Sequence, residues 1–385
     1  MDYVKVAREL LAFDTSVPPG LRYEEVMDYL KPVFSQVGFE TETVHIPREY
    51  SDGNEPRVNL LAHRRQPGKP RLIFYAHIDV VPAQGWEAFQ PRVENGRIYA
   101  RGAADMKGGL VALLLGLDKV KGKTLKYDTS VMVTTDEEVG QSDQLRYLGR
   151  FLEPLAGAYL FDLDSSFGYV VIASLGAIQM DIKVKGTAVH SAMAHTGENA
   201  VEKANLLINA LLDLKREVVK RKSKVDAHPS TGLARMEARL NINVVKGGLK
   251  VNIVPDECLI SVDRRLIPEE NLVEAERELV KTLSGVPGVR WEIDKVFRIP
   301  TVPPLSADPV TDELAGIIRQ VTGKSGKFGE MGSGDLGHIA ALDWKARHFG
   351  AGVIRPDCNI HGKDEFVNQK DIEDLALIIA RFVAS

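Results

Sequence analysis

The chain has 385 residues, of which 44% are hydrophobic and 26% charged, with a formal net charge of −4. This composition describes a soluble globular protein with ample core and excludes a disordered chain. No basic tract points to nucleic acid or an anionic membrane, and no apolar run reaches the roughly 18 residues needed to span a bilayer.

Only Cys258 and Cys358 occur, which rules out a disulfide scaffold and a four-cysteine zinc site. The first sixteen residues, MDYVKVARELLAFDTS, lack a charged, then apolar, then small-residue pattern. A cytoplasmic enzyme is the expected class.

In chain order, Val4, Ala7, Leu10 and Leu11 recur at helical spacing, and the turn formers from Asp14 to Gly20 end that helix. A second helix is expected over 23–37. Residues 41–46 alternate as a half-buried strand, and 59–62 and 72–76 read as neighbouring strands. The nearly all-apolar stretch 110–120 predicts a buried helix. Short apolar strands follow at 129–134 and 160–163. Strands alternating with helices, with polar groups at successive strand ends, describe an α/β sheet with its site along the C-terminal edge.

The pattern changes near Gly176. Residues 177–184 alternate, a long helix is expected over 200–220, and strands over 236–245 and 258–263. The basic run 215–224 reads as the solvated end of that long helix. A helix over 268–283 and a strand over 289–296 complete what looks like a separate α+β domain inserted into the first. Four prolines between 300 and 309 carry the chain back to helices at 312–321 and 369–383. The expected architecture is a layered α/β/α domain, 1–176 and 297–385, interrupted by an α+β domain at 177–296.

The candidate chemistry lies in His77, Asp79, Asp105, Glu137, Glu138, Asp164 and His361. Most of these fall at strand ends or in the turns that follow, so they can converge. Imidazole with carboxylates is a ligand set that zinc accepts. An aspartate two residues after His77 can accept the second imidazole N–H and fix the tautomer. Asp162 competes with Asp164 as a ligand.

Seven segments carry a resemblance: AHIDVVP at 76–82, RGAADMKGG at 101–109, TTDEEVG at 134–140, GTAVHSA at 186–192, NIVPDE at 252–257, DRR at 263–265 and NIHGKDEFV at 359–367. In order and spacing the chain resembles the co-catalytic zinc amidohydrolase and peptidase family of acetylornithine deacetylase, succinyl-diaminopimelate desuccinylase, aminoacylase, carboxypeptidase G and peptidase T.

The resemblance implies two zinc ions per subunit, with cobalt or manganese as alternatives. His77 and Asp164 would hold one, Glu138 and His361 the other, and Asp105 would bridge them across a cis Asp105–Met106 peptide. Asp79 would orient His77. Glu137 would be the general base, passing a proton from the attacking water to the leaving nitrogen. The insert would be a lid and dimerisation domain. From it His190 would reach the partner subunit's site to stabilise the oxyanion, and Asn252 and Arg265 would bind a substrate carboxylate. Arg264 competes with Arg265, since strand alternation lets only one of them face the site. Gly350, in Gly350-Ala351-Gly352, would contact substrate.

The implied reaction is hydrolysis of an amide bond in a small N-acyl amino acid or short peptide by a homodimer. Many deacylases and carboxypeptidases of the family have a Glu-Pro pair where this chain has Asp164-Ser165, and aspartate there favours the aminopeptidase and dipeptidase side. The loops at 47–57 and 194–199 are expected to shape the pocket. A non-catalytic binding homologue is the competing class. It would be expected to have lost ligands or the base, whereas all of these positions are filled.

Overall fold

A computed structural model describes residues 1–51 and 57–384, so part of the 47–57 loop lies outside the described residues. The chain divides into two compact units. One comprises Met1–Ile172, Leu305–Phe328 and Gly334–Ser385, the other Ala173–Pro304 and Gly329–Ser333. Among the described residues, no helix is long and apolar enough to cross a membrane.

The first unit is organised around an eight-stranded sheet. In spatial order its strands are Glu40–Ile46, Arg57–Arg64, Asp128–Thr134, Arg71–His77, Tyr159–Asp162, Arg347–Gly350, Val170–Ser174 and Lys327–Glu330. The four from Asp128–Thr134 to Arg347–Gly350 run parallel, so their C-terminal ends share one edge. Every residue of Arg71–His77 is buried. Its run of consecutive apolar residues is therefore that of a strand covered on both faces. Glu40–Ile46, at the sheet's edge, instead leaves Glu40, Glu42 and His45 exposed.

Residues 108–117 of the helix Gly108–Lys119 are all buried, and this helix packs against the C-terminal helix Gln369–Val383. Phe161 lies at the centre of the aromatic core. Its ring centroid is 5.1 Å from that of Phe74, 5.0 Å from Phe349 and 5.8 Å from Phe382. The core thus joins three parallel strands to the last helix, and the C-terminal segment is an integral part of this unit.

The second unit is a four-stranded antiparallel sheet, ordered Arg239–Gly247, Glu257–Leu266, Gly176–Lys185, Arg290–Ile299. Two helices, Ala200–Val218 and Leu272–Ser284, pack on it. Their starts are set by Asn199 and Asn271, whose side chains accept hydrogen bonds from first-turn backbone N–H groups.

Several elements differ from their sequence expectation. The helix expected from 268 begins at Leu272, because Asn271 is its cap. The strand expected over 236–245 is two, Arg235–Glu237 and Arg239–Gly247. The basic run 215–224 is not one helix end: the helix stops at Val218 and Lys222–Asp226 is a strand. Within the unit Arg221 pairs with Glu270 and Glu278, and Lys222 with Glu237.

Candidate metal centre

Three of the parallel strands deliver polar residues at one edge. His77 ends Arg71–His77, Glu137 and Glu138 form the turn after Asp128–Thr134, and Asp164 follows Tyr159–Asp162. Asp105 lies in the segment Ala103–Lys107, with extended backbone at φ −116° and a cis Asp105–Met106 peptide. His361 sits in a turn where Asn359, His361 and Asp364 all take the left-handed conformation (φ 56°, 59° and 59°). That conformation is costly for most residues and tolerated best by Asn, Asp and His.

These residues meet in two groups. His77, Asp105 and Asp164 place potential ligand atoms within 4.8 Å of one another, and so do Asp105, Glu138 and His361; Asp105 belongs to both. His77 Nε2 is 3.4 Å from Asp105 Oδ1 and 3.7 Å from Asp164 Oδ2. His361 Nε2 is 3.2 Å from Asp105 Oδ2 and 3.2 Å from Glu138 Oε1. Asp162 is in neither group; its Oδ1 accepts a hydrogen bond from the Asp164 backbone N–H at 2.9 Å.

Asp79 is fully buried, with Oδ1 3.3 Å from His77 Nδ1, while its Oδ2 accepts the Glu138 backbone N–H at 3.0 Å. His77 Nδ1 also lies 3.2 Å from the Asp79 backbone carbonyl, its hydrogen-bond partner. Asp79 thus steers a residue from each group, His77 through that carbonyl and Glu138 through the carboxylate.

The donors suit a divalent cation. They are imidazole nitrogens and carboxylate oxygens in a partly buried place, where three carboxylates outnumber two rings. His77 Nε2 and Asp164 Oδ1 are buried with no hydrogen-bond partner among the described residues. Buried polar atoms are nearly always satisfied, and this unpartnered ring nitrogen lies 3.4 and 3.7 Å from two carboxylates, an arrangement that suits a cation.

The electrostatics of the site's own groups agree. Burial disfavours the His77 imidazolium, yet Asp105, Asp164 and Asp79 outweigh it and raise the ring well above its ordinary pKa. Asp105 and Glu138 push His361 up to about 10. Burial works to raise Asp105, but His361 and His77 hold it below the usual carboxylate range. Burial raises Glu137 well above that range, with Asp335, Asp164 and Glu138 adding to the rise against His77.

A ring raised in this way stabilises the fold fully below about pH 6.5, its unfolded value. That contribution disappears as pH rises through about 10. A cation needs neutral imidazole, so metal binding at pH 7.5 is expected to release about one proton or more per chain. Calorimetry in buffers of different ionisation enthalpy measures this, and a heat independent of buffer would contradict it.

Three further residues of the site carry no separate signal in the sequence. Glu365, fully buried, accepts hydrogen bonds from the backbone N–H groups of Gly102 (3.1 Å), Ala104 (3.0 Å) and Asp105 (3.2 Å) and from Arg101 (2.7 Å). Arg101 also donates to the His361 carbonyl at 3.0 Å. Asp136, φ 67°, is held by Arg57 at 2.5 Å and Tyr23 at 2.9 Å, which sets the turn that presents Glu137 and Glu138. Glu365 stands within the NIHGKDEFV segment, but only its contacts reveal its role.

Gly350 ends its strand against Asp162 and Ser165. A Cβ there would lie 2.2 Å from Ser165 Oγ, so packing alone requires glycine.

In the second unit, His190 is exposed and its Nδ1 accepts the Ala192 N–H at 3.2 Å, leaving the neutral ring's proton on Nε2. His190 pairs in a short ribbon with Ile253, beside the exposed Asn252. Arg264 is fully buried and paired with Glu270. Arg265, on the opposite strand face, is partly exposed; it makes a two-point contact with Asp263 at 2.7 and 3.0 Å and donates to Ser333 Oγ at 3.1 Å. Arg265 is therefore the more accessible of the two.

Comparison with known proteins agrees with these segments. A probable succinyl-diaminopimelate desuccinylase of Staphylococcus epidermidis is 29% identical over 268 residues, and the match spans 63% of this chain and 63% of that relative's length. An acetylornithine deacetylase of Myxococcus xanthus is 27% identical over 391 residues, covering 98% of this chain and 95% of the relative. The fold resembles that of a metallo-carboxypeptidase, Sso-CP2, from Sulfolobus solfataricus, with a TM-score of 0.77 at 18% identity over 99% of this chain and 98% of the other. The model of Peptidase family M20/M25/M40 matches residues 73–385. That match runs from the strand that delivers His77 through every residue of both groups, and the chain belongs to this family.

Proposed function

We propose that the protein is a divalent-metal-dependent hydrolase that cleaves the amide bond of a small N-acyl amino acid or short peptide. The carrying observation is the pair of ligand groups that share Asp105, with Glu137 beside them. In this reading His77 and Asp164 would hold one cation and Glu138 and His361 the other, with Asp105 common to both ligand groups. Zinc suits the donors, and cobalt or manganese is compatible with them.

Bound cations would polarise the scissile carbonyl and make the attacking water more acidic. The remaining work falls to the chain. Asp79 keeps His77 in the tautomer with Nε2 towards the site. Glu137 takes the water's proton on its carboxylate and returns it to the leaving nitrogen. His190, with its proton on Nε2, is suited to stabilise a developing oxyanion. Asn252 and Arg265 are assigned to the substrate carboxylate, and Gly350 to a substrate contact.

The function is tested by a hydrolysis panel on metal-reconstituted protein, setting N-acetyl, N-succinyl and N-carbamoyl amino acids against di- and tripeptides. Asp164 favours the peptides; the named relatives favour the acylated amino acids. Failure on every amide, with metal bound, would remove the hydrolase reading.

A homodimer is part of the proposal. On the second unit Val245, Leu249, Val251 and Ile253 are exposed on and just beyond the edge strand Arg239–Gly247, with Leu249 and Val251 almost fully so. Exposed apolar residues on a sheet edge mark a surface that another chain covers. Sedimentation should report a dimer, and Leu249→Asp with Val251→Asp should convert it to monomer; a monomeric wild type would refute this. The two buried free thiols fit the cytoplasmic setting included in the proposal.

A further inference from the structure

Behind Glu137 lies another buried carboxylate, which belongs to neither ligand group. Asp335, 2% exposed, begins the helix Asp335–Ala341. Its Oδ2 accepts two hydrogen bonds, from Tyr75 Oη at 2.5 Å and from Gln141 Nε2. Tyr75 and Gln141 are themselves buried, and the Gln141 amide also donates to Thr134 Oγ1 at 3.0 Å. One carboxylate oxygen thus ties together the strand that ends at His77, the turn that carries Glu137 and the segment 334–335.

That segment meets the base at two adjacent points, both against one oxygen. The Asp335 backbone N–H lies 3.4 Å from Glu137 Oε1, a long contact directed at one oxygen. Gly334 lies so close that a Cβ built on it would be 2.7 Å from the same oxygen. Its φ of −161° is extended backbone open to any residue, so glycine is needed there for space and not for conformation.

We propose that Asp335 is a positioning residue. Anchored by Tyr75 and Gln141, it fixes the N–H and the glycine surface that together set where the Glu137 carboxylate points. A proton acceptor that must reach the attacking water at hydrogen-bond distance needs such a stop, because a misplacement of about 1 Å can cost about 100-fold in rate. The inference rests on the reading of Glu137 as the base.

The test compares Asp335→Ala, Asp335→Asn, Gly334→Ala and Glu137→Ala on the best substrate of the panel. It measures kcat, KM, metal content and melting temperature. Gly334→Ala should lower kcat by about 100-fold with KM, metal content and melting temperature of the wild type, because the displaced atom is the end of a flexible side chain. Asp335→Ala should lower kcat at least as far, and Asp335→Asn, isosteric and still an acceptor for Tyr75, should restore it to within about tenfold of wild type.

Wild-type kcat in Gly334→Ala overturns the proposal. So does an Asp335→Ala loss that only follows lost metal or lost folded protein, or one that appears in KM alone. If Glu137→Ala is itself as active as wild type, the base assignment fails first, and the two failures are thereby told apart.

Discussion

Glu137→Ala is expected to lower kcat by about 10²–10⁴-fold, the usual contribution of a positioned proton acceptor, while both cations remain bound. Glu137 supplies no atom to either ligand group, so in the proposed mechanism its loss should remove proton transfer and leave the metal centre intact. Metal content by atomic emission and turnover on the same sample test both halves. Undiminished hydrolysis would sink the mechanism, and lost metal would turn Glu137 into a ligand.

The same variant carries a stability expectation of definite sign. Burial holds the Glu137 carboxyl well above its ordinary pKa. An acid raised in the folded state favours folding when protonated and opposes it once pH passes its unfolded value. At neutral pH the metal-free wild type therefore carries a destabilising buried acid that alanine removes. Metal-free Glu137→Ala should melt no lower than metal-free wild type, as when function holds a strained group in place.

Glu365→Gln should cost stability and metal affinity together. Four donors converge on the Glu365 carboxylate, three of them backbone N–H groups in the segment that ends at Asp105. The glutamine amide replaces one acceptor with an N–H₂, which confronts donors with donors. Each buried group left unpaired costs about 1–3 kcal/mol, so a loss of about 2 kcal/mol or more is expected in urea unfolding.

Arg101, released from Glu365, no longer fixes the His361 carbonyl. Asp105 and His361 then both lose their support, and partners that hold ligands in this way are worth about 10–100-fold in metal affinity. A competition titration against a chromophoric chelator measures it. Wild-type affinity in a folded Glu365→Gln protein would show that Glu365 serves the fold alone.

Much of the first unit was legible because its elements obey simple periodicity. Leu72 to Ala76 is an unbroken apolar run, and it is a strand buried on both faces. The terminal helix expected over 369–383 is Gln369–Val383, since its apolar residues recur at helical spacing. The strands Val170–Ser174 and Arg347–Gly350 were not legible. The second has only four residues and a single large apolar one, and it is a strand because its neighbours on either side pair with it.

Among the site residues, His77, Asp105, Glu138, Asp164 and His361 were named from motif and strand-end position, and the structure brings them together. Asp335, Tyr75, Gln141 and Glu365 were not named. Each acts through a hydrogen bond to a residue distant in sequence, and no local pattern records such a partner.

The amino-acid sequence by itself determined which residues are proposed to bind a cation or move a proton, because that reading depends on side-chain chemistry and on their delivery at strand ends. Through the resemblance it also led to the expectation that the C-terminal segment, which carries His361, rejoins the first unit. Only the tertiary structure decided that Asp164 and not Asp162 faces His77, that Arg264 is consumed by Glu270, and that Glu137 Oε1 lies against Gly334 and the Asp335 N–H. Those outcomes turn on how segments up to 198 residues apart meet, which packing sets and local sequence does not encode.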